Sequence, residues 1–201
     1  MKIVFLDAES LGSDADYSEF EQLGEVIKYP RTSPEEAPER VADADVIVVN
    51  KVPVNENTIA SARNLKLVCV CATGTNNLDK DYLAQHGIEW HNAAGYSTES
   101  VAQHTFAMLF YLMEGLRYYD DYVKEGKYAA SSLFTHFGIP FHELGGVTWG
   151  ILGLGAIGRR VADIAGMFGA DVIYYSASGA PAQKGYRQVD FDTLLSESDI
   201  L

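Results

Sequence analysis

Cysteine is scarce in this chain of 201 residues, which contains only Cys69 and Cys71. The two stand two positions apart in an apolar run that is predicted to be a strand, so both side chains point to the same face of it. A pair of cysteines without a secretory context is typical of buried, reduced thiols and excludes a disulfide framework. We therefore expect neither a disulfide nor a metal site, and a cytoplasmic location.

Basic residues are few as well. The chain has 15 Lys and Arg against 28 Asp and Glu, which gives a formal net charge of −13. Nucleic acids and anionic membrane surfaces attract proteins through Lys and Arg. This charge balance therefore argues against both as partners.

No apolar run is long enough for a membrane span or a signal peptide. The longest, residues 101–116, is interrupted by Gln103, His104 and Glu114, which predicts a buried helix instead. Residues 3–6 are too few for the apolar core of a signal peptide, and Asp7 ends them.

The chain does have many apolar residues, 47% of the total, and wholesale disorder is therefore excluded. In its first half, five short apolar runs alternate with helical patterns, and no hairpin turn joins them. This alternation predicts a parallel, doubly wound α/β domain. The predicted strands are residues 2–7, 26–29, 46–49, 65–72 and 88–91, and the predicted helices are residues 17–24, 35–41, 58–62 and 79–85.

A long helix is predicted from residue 100 to about residue 124, with Thr98 as its N-cap. Apolar residues lie on most of its sides, so we expect it to be buried between two domains or subunits. Residues 126–144 are aromatic and irregular, which is typical of an arm that lies across a neighbour. We place a domain boundary between residues 98 and 99, and we expect domains at 1–98 and 99–201.

The second domain opens with a glycine motif. Residues 147–152 read as a buried strand, Gly153, Gly155 and Gly158 follow as G-x-G-x-x-G, and helical spacing continues to residue 168. The first glycine permits a tight turn, the second lets a pyrophosphate approach the backbone, and the third allows close packing of helix on strand. A dinucleotide site is favoured over a plain buried turn because the motif lies at a strand-to-helix junction.

The remaining residues continue this second domain. Residues 171–176 are predicted to be its second strand, residues 191–195 a helix, and residues 199–201 the beginning of a third strand. A dinucleotide-binding half needs a complete third strand and its crossover. We therefore expect the 201 residues to be part of a longer polypeptide.

Three segments resemble the D-2-hydroxyacid dehydrogenase family. They are ELGGVTWGILGLGAIG at 143–158, ATGTNNLD at 72–79 and NAAGYSTESVAQ at 92–103. The form TGTNN, together with Asn50, Lys51 and Val52, is similar to the glycerate dehydrogenase and hydroxypyruvate reductase members of the family. The resemblance implies a flavodoxin-like substrate domain followed by the first part of a Rossmann dinucleotide-binding domain, and a homodimer.

The resemblance also implies hydride exchange between a nicotinamide cofactor, NAD or NADP, and a small 2-hydroxy or 2-keto acid. The family's catalytic Arg, Glu and His lie on later segments, so we assign no catalytic residue here. The residues that match cofactor-binding positions are Gly153, Gly155, Ala156, Ile157, Gly158 and Ser176. Those that match or adjoin substrate-binding positions are Lys51, Thr73, Gly74, Thr75 and Tyr96.

Each substrate-side assignment has a plainer alternative. Thr73 and Gly74 would offer backbone amides to the substrate carboxylate, or they form an ordinary turn. Lys51 would add a positive charge near the substrate, or it is a solvated loop lysine. Tyr96 would close the pocket, or it packs between domains. None of the five histidines is expected to be catalytic. His91 and His104 are expected to be structural, whereas the other three are expected at the surface or in the arm: His86, His136 and His142.

One position departs from the pattern of NAD-specific members. These have an acidic residue at the end of the second strand, where this chain has Ser176, 18 positions after Gly158. Asp171 cannot replace it, because it lies at the other end of the strand, about 15 Å away. Without the carboxylate a 2′-phosphate is not repelled, and Ser178, Lys184 or Arg187 could help to bind one. The choice between NAD and NADP stays open.

Two other functions remain possible from the sequence. The family has non-catalytic relatives that act as corepressors, binding the cofactor and then a protein partner. A flavodoxin-like binding module that ends near residue 98, with an unrelated attachment, is the second alternative, and the intact glycine motif argues against it.

Overall fold

The structure is a computed structural model that describes Met1–Leu201, and it divides into two compact units, Met1–Tyr96 and Ser97–Leu201. The division falls two residues before the predicted boundary. Both units are built on parallel sheets with helices between the strands, so the predicted α/β class is confirmed. No helix in the chain is long and apolar enough to cross a bilayer.

The first unit is a five-stranded parallel sheet with the order β2-β1-β3-β4-β5. This is the flavodoxin-like order, in which the chain reverses direction across the sheet between β1 and β3. Ligands of such sheets bind at the carboxyl ends of the strands beside that reversal. The strands are β1 (Lys2–Phe5), β2 (Glu25–Lys28), β3 (Val46–Val49), β4 (Leu67–Val70) and β5 (Glu89–Asn92), each within three residues of its predicted limits.

The central strand β3 is buried along its whole length, because helices cover both faces of the sheet. Its β-branched residues pack into two cores, one with Val4 and Leu83 and the other with Ile3 and Phe5. The helices of this unit are α1 (Ser18–Glu21), α2 (Ala37–Val41), α3 (Glu56–Ile59) and α4 (Lys80–Gln85). Asn55 and Asp79 cap α3 and α4 through their side chains, which fixes where those helices begin.

The predicted long helix is two helices, α5 (Thr98–Met113) and α6 (Leu116–Lys124). Gly115 separates them, with a left-handed φ of +57° that a helix cannot contain. The prediction of a single helix was wrong because the apolar spacing continues across this glycine. Thr98 is the first helical residue and not the N-cap, which is Ser97.

Helix α5 buries one face only. Ala102 and Phe106 are buried in the core of the second unit, whereas Val101, Met108 and Leu112 are 40%, 51% and 76% exposed. Within the single chain most sides of α5 are therefore uncovered, and its burial between domains or subunits stays a prediction. A short helix, α7 (Lys127–Ala130), follows α6, and the rest of the predicted arm to residue 143 has no regular structure.

The second unit is a parallel sheet of β6 (Thr148–Leu152), β7 (Asp171–Tyr175) and β8 (Arg187–Gln188) in that order. Helix α8 (Ala156–Met167) connects β6 to β7, and helix α9 (Phe191–Glu197) follows β8. Ile200 pairs with Trp149 on the free edge of β6. Residues 199–201, predicted to begin a third strand, therefore lie beside the first strand of this sheet, and the third strand along the chain is β8, which the sequence analysis missed.

The core of this unit lies between the sheet and α8. Trp149, Ile151 and Tyr174 pack from the strands against Val161 and further residues of the helix, and α5 covers the same side. The chain order reverses at β6, with β7 on one side and Ile200 on the other. In doubly wound sheets this reversal marks the ligand-binding crevice, and here the glycine motif directly follows β6.

Candidate functional site

The glycine turn begins directly after β6. Gly153 has a φ of +93°, which residues with a Cβ rarely adopt, and its N–H donates to the carbonyl of Tyr175 at 2.9 Å. This bond ties the turn to the end of β7. Gly155 is the N-cap of α8, and its carbonyl accepts the N–H of Arg159 at 2.8 Å. The turn and the start of the helix are thus held at the carboxyl end of the sheet.

The second and third glycines have opposite surroundings. A Cβ built on Gly155 would meet no atom within 4 Å, so this position opens onto free space. A Cβ on Gly158 would lie 2.3 Å from the carbonyl oxygen of Gly153 and 3.2 Å from Cγ2 of Ile151. Gly158 is therefore required by packing of helix on strand, whereas no contact within the protein requires Gly155 to lack a side chain.

The first turn of α8 follows directly and has free backbone donors. Ala156 and Ile157 are its first two residues, and the N-cap Gly155 has no side chain to accept their N–H groups. Unsatisfied N–H groups at the start of a 12-residue helix, together with its dipole, favour a negatively charged group. Ala156 is exposed, while Ile157 is half-buried and packs against the core.

A cavity of about 400 Å³ lies beside this turn. It brings Gly153 and Gly155 together with Ser176, which comes directly after β7. Ala156, Ile157 and Gly158 do not line it. Its lining is uncharged: Gly153, Leu154, Gly155, Tyr174, Ser176, Ala177, Ser178, Ala180, Pro181 and Gln183. The hydroxyl of Ser176, where the sequence analysis noted the lack of an acidic residue, lies 3.3 Å from the Oγ of Ser178.

The segment after Ser178 forms one side of the cavity, and a hydrogen bond to α8 holds its far end. The hydroxyl of Tyr186 donates to Asp163 of α8, and burial, with that hydrogen bond, raises the pKa of the phenol. Arg187 pairs with Glu197 at the surface. Lys184 is exposed and forms none of the ion pairs in the chain.

In the first unit, the loops after β3 and β4 are joined to each other. The N–H of Val54 donates to the carbonyl of Asn77 at 2.7 Å, and the side chain of Asn77 donates to Val52 at 3.0 Å. Because β3 and β4 are neighbours, Lys51 and the loop of residues 73–75 lie at the same edge of the sheet. Lys51 is exposed and makes no ion pair.

The loop after β4 has free backbone donors. No hydrogen bond within the protein uses the N–H of Thr73, Gly74 or Thr75, while the carbonyl of Thr73 accepts Nδ2 of Asn92 at 2.7 Å. Thr73 and Gly74 are exposed. Adjacent free amides on a fixed loop can bind an anionic oxygen. Tyr96 lies at the end of the unit and is 69% exposed.

Asp7 is a residue that the sequence analysis did not assign to the site. Its carboxylate accepts the backbone N–H groups of Asn50 at 2.9 Å, Lys51 at 2.6 Å and Val52 at 3.2 Å. It thereby fixes the loop that carries Lys51, at the reversal between β1 and β3. The only signal in the sequence was an acidic residue at the end of a buried strand, and the contact spans more than 40 residues.

The other titratable candidates lie elsewhere. His91 and His104 are exposed, and His136 stacks on Tyr122 with ring centroids 3.8 Å apart in the arm. Cys69 and Cys71 are free and half-buried, and burial raises the pKa of both thiols, which disfavours the reactive thiolate. No cluster of His, Cys, Asp and Glu has the composition of a metal site.

Comparison with known proteins adds an independent finding. The sequence model of the family described as D-isomer specific 2-hydroxyacid dehydrogenase, catalytic domain, matches residues 3–194. Over the whole chain, the sequence is 35% identical to a glycerate dehydrogenase of Methylorubrum extorquens and 36% identical to a hydroxypyruvate reductase of Blautia hydrogenotrophica. The chain spans 62% and 64% of the lengths of these two relatives.

Solved structures show the same fold. An acyclic imino acid reductase in complex with NADPH and D-Arg aligns with 99% of this chain and 63% of its own, with a TM-score of 0.82 and 27% identity. The D-lactate dehydrogenase of Aquifex aeolicus, complexed with NAD and lactic acid, aligns with 98% of this chain and 58% of its own, with a TM-score of 0.81 and 29% identity.

Proposed function

The chain belongs to the D-isomer specific 2-hydroxyacid dehydrogenase family, and we propose that the whole protein transfers a hydride between a nicotinamide cofactor and a small D-2-hydroxy acid or its 2-keto form. The observation that carries the proposal is the contrast between Gly155 and Gly158. A glycine that packing does not require, at the start of a helix with free N–H groups, suits the approach of a pyrophosphate.

The cofactor is NAD or NADP, and it would supply the hydride. Gly153, Gly155 and the first N–H groups of α8, at Ala156 and Ile157, would hold its pyrophosphate, while Gly158 keeps the helix against the strand. Ser176 would face the adenosine ribose. Because the chain has a hydroxyl and no carboxylate there, NADPH is expected to serve at least comparably with NADH. Lys184, the residue after Gln183 of the cavity lining, would add a positive charge.

The substrate would bind at the first unit by its carboxylate. The free N–H groups of Thr73, Gly74 and Thr75 would donate to it, and Lys51 would add a positive charge at the same sheet edge. Tyr96 would cover the substrate. The similarity to glycerate dehydrogenase and hydroxypyruvate reductase supports hydroxypyruvate and glyoxylate as the first substrates to test.

The protein is proposed to act as a homodimer. The outward stripe of α5 and the arm leave large apolar side chains in solvent, among them Leu112, Phe134 and Phe137 at 76%, 87% and 91% exposure. Several large apolar side chains exposed in this way are typical of an interaction surface. A second copy of the chain is the partner that the family resemblance favours.

The test measures cofactor binding and keto-acid turnover by the whole protein. Absorbance at the NADH or NADPH band is followed after adding hydroxypyruvate or glyoxylate, with each cofactor in turn. We expect cofactor oxidation that depends on the keto acid. Binding of the cofactor without turnover of either acid would refute the enzymatic proposal and favour a cofactor-sensing protein.

A further inference from the structure

The side chain of Asn50 spans the point where the order of the first sheet reverses. Asn50 directly follows β3, and its Nδ2 donates at 3.1 Å to the Oγ of Ser10, which lies in the segment after β1. On its other side, the N–H of Cys71 at the end of β4 donates to the carbonyl of Val49 at 2.7 Å. Asn50 therefore lies between the loops after β1 and β4, where sheets of this order bind their ligands.

The orientation of the Asn50 amide follows from Ser10. The hydroxyl of Ser10 has one hydrogen, and it donates this hydrogen to the carbonyl of Asp7 at 2.6 Å. Its oxygen can then only accept, so the group of Asn50 that faces it has to be the NH₂ and not the carbonyl oxygen. The Oδ1 of Asn50 is thus presented at the other end of the amide, as an acceptor.

This Oδ1 has no partner within the protein, and it is open to solvent. Asn50 is half-buried, and the one buried side-chain nitrogen or oxygen that lacks a partner belongs to Gln183. The backbone of Asn50 is held as well, because its N–H donates to the carboxylate of Asp7 at 2.9 Å. An accessible acceptor that is already fixed loses little entropy when a donor binds to it.

An acceptor at this position selects a donor on the substrate. The carboxylate and the keto oxygen of a 2-keto acid are acceptors only, so neither can bond to Oδ1. A hydroxyl on C3, as in hydroxypyruvate, is a donor, whereas pyruvate has a methyl group there and glyoxylate has no third carbon. Since Lys51 and residues 73–75 are assigned to the carboxylate, Asn50 is the neighbouring polar group that remains for the substituent on C3.

We propose that Asn50 is a specificity-determining residue whose Oδ1 accepts a hydrogen bond from the C3 hydroxyl of the substrate, so that the site selects 2-keto acids with a 3-hydroxyl group. The inference rests on the proposed function, since it places a 2-keto acid at the carboxyl edge of the first sheet. Ser10 is then a positioning residue, because it determines which atom of the amide is presented.

The test compares three keto acids that differ at C3. The kcat/KM of the whole protein is measured for hydroxypyruvate, pyruvate and glyoxylate, in wild type and in Asn50→Leu, whose side chain has a similar shape but neither donor nor acceptor. A neutral hydrogen bond corresponds to about a three- to tenfold change in affinity. We expect Asn50→Leu to lower kcat/KM for hydroxypyruvate by that factor relative to the other two acids. The inhibition constants of D-glycerate and D-lactate, which differ by the same hydroxyl, provide the comparison without turnover of pyruvate.

Two further variants separate contact from support. Ser10→Ala leaves Asn50 in place but removes the group that orients it, so it should show a smaller loss that also depends on the C3 hydroxyl. Asn77 is the matched control, because its Nδ2 donates to the carbonyl of Val52 at 3.0 Å and supports a loop at the same edge of the sheet. Asn77→Leu should change kcat/KM for all three acids by the same factor.

Each other result is decisive. An equal loss for all three acids in Asn50→Leu would show that Asn50 only holds its loop, and unchanged kinetics with hydroxypyruvate would show that Oδ1 does not contact the substrate; either result overturns this inference alone. If thermal unfolding shows that Asn50→Leu does not fold, Ser10→Ala decides, and an equal effect on all three acids overturns the proposal. A wild type that turns over none of the acids with either cofactor contradicts the proposed function as well.

Discussion

Replacing Gly155 with valine should separate cofactor binding from folding. Gly155 has a φ of −76°, which valine can adopt, and an added Cβ would meet nothing within 4 Å. The cost to folding is the loss of a favourable N-cap residue, about 1 kcal/mol. The new side chain would instead occupy the space into which the first N–H groups of α8 point, and a pyrophosphate would be displaced from them.

The loss of affinity follows from the number of donors affected. Charge-assisted hydrogen bonds contribute about 1.5–3 kcal/mol each, so losing one of them lowers affinity by about 10- to 150-fold and losing two lowers it by about 100-fold or more. Calorimetric titration of the variant with NADH and NADPH measures this loss, and thermal unfolding measures the fold. Native affinity in a folded Gly155→Val protein would refute the placement of the cofactor at this turn.

Two other glycines of α8 serve as controls. At Gly166 an added Cβ also meets nothing within 4 Å, so Gly166→Ala should stabilise the helix by about 0.5–1 kcal/mol and leave cofactor binding unchanged. At Gly158 an added Cβ would lie 2.3 Å from a backbone oxygen, so Gly158→Ala should destabilise the fold itself. The three variants together distinguish an open ligand site from a packing requirement.

Three further predictions concern other residues. Ser176→Asp should shift the ratio of kcat/KM for NADH over NADPH by about tenfold or more towards NADH; an already NADH-selective wild type with an unchanged variant would contradict it. Asp7→Asn should lower the free energy of unfolding in urea by about 1.5–3 kcal/mol, since three N–H groups lose a charged acceptor; unchanged stability would exclude that role. Phe134→Ser with Phe137→Ser should convert a dimer to a monomer in light scattering, and a monomeric wild type would refute the dimer.

Local patterns were enough to predict much of the fold. Both a strand and a turn were predicted from signals that lie within a few consecutive residues. These signals are the β-branched run at Val46–Val49 and the spacing of Gly153, Gly155 and Gly158, and the structure has the expected strand and turn there. The break at Gly115 was missed because apolar spacing continues through it. Strand β8 has two residues, too few to show a period.

Contacts between residues that are far apart in the sequence could not be predicted from the spacing of residue types along the chain. Asp7 reaches the loop after β3 only because parallel pairing brings the ends of β1 and β3 together. The orientation of the Asn50 amide depends on Ser10, which is 40 positions away, and a polar residue after a strand gives no sign of that. The pairing of Ile200 with Trp149 likewise follows from the sheet order.

The most direct test of the central claim follows the hydride itself. The whole protein is supplied with hydroxypyruvate and with NADH or NADPH in which both hydrogens at C4 of the nicotinamide are deuterium, and the product is analysed by mass spectrometry and chiral chromatography. We predict D-glycerate with deuterium at C2. Glycerate of the L configuration, or bound cofactor with no labelled product, would contradict the assignment of this chain to a D-2-hydroxyacid dehydrogenase activity.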